Sequence, residues 1–168
     1  MALLKYLKGY DKGLQAEVQT LIDAGRLGDL LRSRHPCNHE IRTSKALYDY
    51  TIEIKNEYLR KTGPLSKVIY DDKISLSHQA LGLHSFISRA QGRKTKAKNE
   101  IRISSRLKRS PEALMRTVVV HELAHLREKD HNKSFYNLCT HMDSDYHQNE
   151  FDLRLYLTYV DLGKTLHA

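Results

Sequence analysis

Cysteine is scarce in this 168-residue chain: Cys37 and Cys139 stand far apart, with no CxxC pair. Two thiols so placed cannot build a disulfide framework, and they fit a reducing compartment. Long apolar runs are missing as well, none approaching the roughly 18 residues that cross a bilayer. The opening MALLKYLKGYDKG has neither the apolar core nor the small-residue cleavage site of a signal peptide. The expectation is therefore a cytoplasmic protein with no membrane partner. No internal repeat and no low-complexity segment occurs, which excludes a repeat array.

What remains is enough chain for one sizeable core, and a single domain over residues 1–168 is expected. Lys and Arg number 28 against 20 Asp and Glu, a formal charge of +8. That field favours partners carrying phosphate or carboxylate and says nothing about fold.

Along the chain, Leu14, Val18, Leu21 and Ile22 form a helical stripe that ends near Gly25, with a second short piece at Leu27, Leu30 and Leu31 before Pro36. Thr43 or Ser44 can cap a helix whose apolar face runs Leu47, Tyr50, Ile54, Tyr58, closed by Gly63-Pro64. KVIYDDKISLS reads as two short strands around a hairpin at Asp71-Asp72, and HSFISRA and NEIRIS as two more. This predicts a small, mostly antiparallel sheet, and hence an α+β fold. Ser110-Pro111-Glu112 then opens a helix with a capping hydroxyl, a proline and an acid in the positive first turn. A last helix carries Phe151, Leu155, Tyr159 and Leu162 and stops at Gly163.

The chemistry is concentrated in TVVVHELAHLREKDHNKSFY. On a helix His121 and His125 lie one turn apart on one face, so both imidazoles can reach one ion. Glu122 is rotated by roughly 100° from His121, near enough to take a proton from water there. This is the spacing of HExxH zinc hydrolases. The helix around it is apolar on nearly all sides, through Leu114, Met115, Val118, Val119, Val120, Leu123 and Leu126. Burying two histidines and a glutamate there is costly unless a metal pairs with them. For the third ligand, an unbroken helix would carry His131 roughly 9 Å past His125 and off its face. The chain must turn within REKD, with Asp130 or Asn132 capping a new helix, for His131 to fold back. His131 is preferred, and Glu150 or Asp152 is the rival.

VVVHELAHLREKDHNKSFY resembles the YgjP-like family of small zincins, related to the WLM and SprT-type metalloproteases. The likeness lies in the apolar lead-in, the HELxHL core, the histidine six residues on and the aromatic beyond. It extends upstream through IRISSRLKRSPEALMRT and more loosely over the whole chain. It implies a minimal zincin-like fold: N-terminal helices, a small sheet, an HExxH helix and C-terminal helices. It also implies zinc on His121, His125 and His131, with Glu122 as general base. The family's RWGSC-type strand is not matched, since the corresponding region reads HSFISRAQGRKTKAKNEIRIS.

Residues 89–109 hold nine bases against one acid, Glu100. Arg89, Lys98, Arg102 and Arg106 are the candidates there for drawing anionic substrate to the metal, against the alternative of a solvated surface. Tyr146 and His147, with His141, are candidates for meeting substrate or an oxyanion. His35-Pro36-Cys37-Asn38-His39 reads as an irregular loop rather than a second metal site, and His78 and His84 as isolated. The first expectation is a zinc metallopeptidase acting on an extended peptide. The alternative is a nucleoside triphosphate pyrophosphatase of the UTP type, an activity the resemblance implies, with Mg²⁺ or Mn²⁺ in place of zinc. A third reading is a zinc-containing adaptor for nucleic acid, weakened because no aromatic residue interrupts the basic run.

Overall fold

Gly25 and Gly163 take φ values of 68° and 77°, a left-handed conformation that other residues reach only at a cost. Each ends a helix where the apolar periodicity runs out. A computed structural model describes the backbone of residues 2–74, 82–91 and 94–168, and side chains over residues 4–74 and 99–168. It divides into two compact units, Met1–Asn38 with His147–Ala168, and His39–Tyr146.

In the first unit a 3₁₀ segment, Ala2–Leu7, precedes α1 (Lys12–Asp23) and α2 (Leu27–Arg34). Asp11 caps α1 by accepting from the Leu14 amide at 2.9 Å. Leu7, Val18, Leu27 and Leu31 are buried, as are Leu157 and Leu166 from the C-terminal part. Asp152, buried, accepts from Arg34 at 2.6 Å and from Gln148 at 3.0 Å, and lies 2.9 Å from His35 Nε2.

The second unit starts with α3 (Ser44–Tyr58), capped by Thr43, whose hydroxyl accepts from the Ala46 amide at 3.1 Å. It packs on β1 (Leu65–Asp71). β2 (Gly82–Gln91) and β3 (Lys94–Ser104) follow, then a 3₁₀ turn at Ser105–Leu107, α4 (Glu112–Ala124) and α5 (Lys133–Met142). α6 (Tyr146–Asp161) begins on the last residue of this unit. Leu47, Ile101, Ile103, Leu114, Val119 and Leu123 are fully buried.

The sheet corrects the expectation of a mostly antiparallel arrangement. Its order is β1-β3-β2, and β1 runs parallel to β3, with Val68 opposite Ile101 and Tyr70 opposite Ile103. β2 lies antiparallel on the other side of β3. β1 therefore does not take its partner from across the Asp71-Asp72 turn. A parallel partner needs a long crossover, here the chain that includes β2. The second arm of the expected hairpin falls within residues 75–81, outside the described residues. Alternation reports which face a residue takes but not which strand lies beside it. The register shift between Leu65 and Lys67 accounts for the broken alternation of β1, where Leu65 and Val68 both turn inward.

α4 packs against β2 and β3. Ser110 does not cap it, because its hydroxyl donates to the Leu107 and Pro111 carbonyls. Pro111 holds the capping position without a side-chain bond. Among the described residues no helix is long and apolar enough to cross a membrane.

Candidate metal centre

The residues that end α4 also begin the site. Its last helical residue is Ala124, and His125 follows with φ −65° and ψ −14°. The amides of Leu126 and Arg127 then bond three residues back, to Leu123 and Ala124. The helix thus tightens and stops. The polar turn that follows leads to Asn132, whose side chain accepts from the Phe135 amide at 2.9 Å and starts α5. His131 sits immediately before that cap, and the bend returns it to the end of α4.

The three ligand nitrogens of His121, His125 and His131 all lie within 4.8 Å of one another. His125 Nδ1 is 3.0 Å from the Glu128 carbonyl. A carbonyl only accepts, so this nitrogen carries the ring proton and Nε2 presents its lone pair. That Nε2 stands 3.1 Å from His131 Nε2. Two ring nitrogens at this distance need a proton or a cation between them. Imidazoles around one tetrahedral zinc, with bonds of about 2.0–2.1 Å, stand roughly 3.3 Å apart. The arrangement therefore fits a metal held by three imidazoles, and the donor set is the kind that transition metals prefer. The His121 and His125 rings meet edge to face, with centroids 5.1 Å apart.

Other contacts hold the rings in place. Phe135, fully buried, lies with its centroid 4.9, 4.8 and 4.8 Å from those of His121, His125 and His131. His121 Nδ1 is 2.9 Å from the hydroxyl of Tyr146, itself buried. Glu122, on the same turn as His121, is only 3 % exposed. A carboxylate there is shielded from bulk water, which strengthens its dealings with any charge nearby.

The rival ligands are engaged elsewhere. Glu150 pairs with Arg154 at 3.1 Å, and Asp152 with Arg34 and His35. Burial works to raise the Asp152 pKa, but the His35 bond, the Arg34 charge and Gln148 outweigh it and hold the carboxyl below its usual range. The His35–His39 stretch forms no metal cluster among the described residues. His39 is buried with both ring nitrogens used: Nδ1 accepts from the Ile41 amide at 2.9 Å, and Nε2 donates to the Leu107 carbonyl at 2.7 Å. Burial lowers its pKa despite that carbonyl and Glu112. Cys37 is exposed.

Of the basic candidates, Arg102 is tied within the sheet, 2.9 Å from Asp71 and 3.8 Å from Glu100. Arg106 is exposed on the 3₁₀ turn. Arg89 and Lys98 lie on β2 and β3, with side chains outside the described residues, as are those of His78 and His84. His147 is exposed, and His141 packs its ring on Tyr58 at 5.5 Å. Three parts of the site were not foreseen: the Glu128 carbonyl, the Phe135 ring and the bond from Tyr146 to His121. Phe135 leaves a trace in sequence as an apolar residue three positions after a cap, and the sequence offers Tyr146 as a candidate for meeting substrate or an oxyanion rather than as a partner of His121.

A family model described as "YgjP-like, metallopeptidase domain" matches residues 41–156. The chain is 52% identical over 164 residues to a protein of Escherichia coli (strain K12) named UTP pyrophosphatase, covering 98% of each chain. No solved structure matches.

Proposed function

The chain belongs to the YgjP-like family, and from that premise we propose that it is a metal-dependent hydrolase cleaving a phosphoanhydride of a nucleoside triphosphate. The observation that carries the substrate class is the near full-length similarity to a protein named UTP pyrophosphatase. The imidazole cluster supports the chemistry. His121, His125 and His131 would hold the cation, and three nitrogen donors favour Zn²⁺ over the oxygen-seeking Mg²⁺. When bound, the cation supplies Lewis acidity, lowering the pKa of water from about 15.7 towards 7 and drawing charge from phosphate oxygens.

The remaining work belongs to side chains. Glu122 accepts a proton from the attacking water at its carboxylate. The water oxygen bonds to the α-phosphorus as the bond from that phosphorus to the bridging oxygen breaks, giving nucleoside monophosphate and pyrophosphate. The Glu128 carbonyl keeps the His125 ring turned to its ligand position. The net charge of +8, with Arg106 exposed ahead of α4, draws a polyanionic substrate.

Peptide hydrolysis is the second reading, favoured by the family model's description and by β1 and β2 being, among the described residues, edge strands to which an extended chain could pair. The test is a panel of nucleoside triphosphates and unstructured peptides, each with wild type and Glu122→Gln, products being followed by phosphorus NMR and mass spectrometry. Triphosphate cleavage to monophosphate and pyrophosphate, lowered about 10²–10⁴-fold in Glu122→Gln, is expected. Peptide cleavage alone would replace this reading with the second.

A further inference from the structure

The imidazoles of His121 on α4 and of His125 just past its end are steered by unlike groups. His125 Nδ1 faces a backbone carbonyl, which settles where its proton sits. His121 Nδ1 faces the Tyr146 hydroxyl at 2.9 Å, and a phenol can donate or accept. A histidine ring is nearly two-fold about its outer torsion. Flipped, it exchanges Nδ1 with Cδ2 and Nε2 with Cε1, so the flipped ring would turn a carbon towards the other two histidines. A partner on Nδ1 removes that ambiguity, because the flipped ring has no polar atom to offer it. Tyr146 is well placed to be that partner, being 1 % exposed, at the start of α6, and with its ring 6.4 Å from that of Tyr136.

We propose that Tyr146 is a positioning residue for the metal centre, its hydroxyl accepting the Nδ1 proton of His121 and so fixing both the ring flip and the tautomer that presents Nε2 to the cation. This rests on the reading of His121 as a ligand. Tyr146 acts through His121 and need not touch substrate. Partners of this kind on a ligating histidine typically carry about 10–100-fold in metal affinity.

The test measures Zn²⁺ affinity by competition with a chromophoric chelator, thermal unfolding, and the ring-nitrogen NMR of ¹⁵N-histidine-labelled protein loaded with Zn²⁺. Tyr146→Phe removes the hydroxyl and keeps the ring. Tyr70→Phe is the comparison: it removes a hydroxyl that donates to the Ile41 carbonyl and Met115 sulfur, away from the three histidines. The expected result is Zn²⁺ affinity about 10–100-fold weaker in Tyr146→Phe and unchanged in Tyr70→Phe. In wild type His121 should show a protonated Nδ1 and a zinc-shifted Nε2. Equal affinity in Tyr146→Phe and wild type, or equal losses in both variants, would overturn the proposal while leaving the metal reading in place. Should Tyr146→Phe not fold, the wild-type spectrum still decides, and a zinc-shifted Nδ1 on His121 refutes it. Wild-type protein that takes up no Zn²⁺ would refute the metal reading and this inference together.

Discussion

Asn132→Ala should loosen the third histidine without touching it. Asn132 lies between His131 and α5, and its side chain accepts from the Phe135 amide at 2.9 Å. Loss of such a cap costs about 1 kcal/mol, within roughly 0.5–2. For a chain of this length that lowers the melting temperature by about 2–4 °C. The same loss frays the turn that holds His131 beside His125 and Phe135. If all of it falls on the arrangement that grips the metal, affinity weakens by about fivefold for about 1 kcal/mol and by at most about 27-fold for about 2 kcal/mol, since 1.4 kcal/mol is tenfold. Asn132→Asp keeps an acceptor and adds negative charge at the positive end of the helix, so it should recover both losses. Differential scanning calorimetry and Zn²⁺ competition on the three proteins check this. Asn132→Ala with wild-type stability and wild-type affinity would show that the cap does not carry the His131 turn.

Asp152→Asn should destabilise the protein by about 2–3 kcal/mol, because it weakens charged bonds from Arg34 and His35 at a buried carboxylate, and should leave metal content unchanged. Loss of metal in that variant would revive Asp152 as a ligand. His39 is held neutral in the fold, its pKa below the usual 6.5. The unfolded chain takes up that proton first, so the His39 contribution to stability is constant above about pH 6.5 and falls as pH drops towards the folded value, by at most about 1.4 kcal/mol per pH unit. His39→Gln should flatten that slope in melting curves between pH 5 and 7.5, and an unaltered slope would contradict it. Burial pushes Tyr50 and Tyr70 up to about 12. Their ionised forms are favoured by unfolding, so stability should decline above pH 10, and absorbance near 295 nm should show at least two phenols still protonated at pH 11 in the folded protein.

Local features were legible in the sequence where the physics is local. Caps at Thr43 and Asn132, the stops at Gly25 and Gly163, and the bend after HELAH all follow from neighbours a few residues apart. The bend had to exist if His131 was to lie near His125, since a straight helix could not bring them together. Strand pairing was not legible. Val68 and Ile101 meet across a parallel ladder that the alternation of either strand cannot specify. Nor could sequence spacing connect Tyr146 with His121, 25 positions earlier, because the meeting depends on where α6 begins. Choosing between His131 and the carboxylates needed tertiary contacts as well: Asp152 is an equally good ligand chemically, but Arg34 and His35 already bind it.

The proposed chemistry requires one divalent cation held by the imidazoles of His121, His125 and His131. Zinc K-edge X-ray absorption of the zinc-loaded protein tests it most directly. Wild type should show three imidazole nitrogens at about 2.0–2.1 Å, and His131→Ala two. A shell of carboxylate and water oxygens, or one unchanged by His131→Ala, would contradict it.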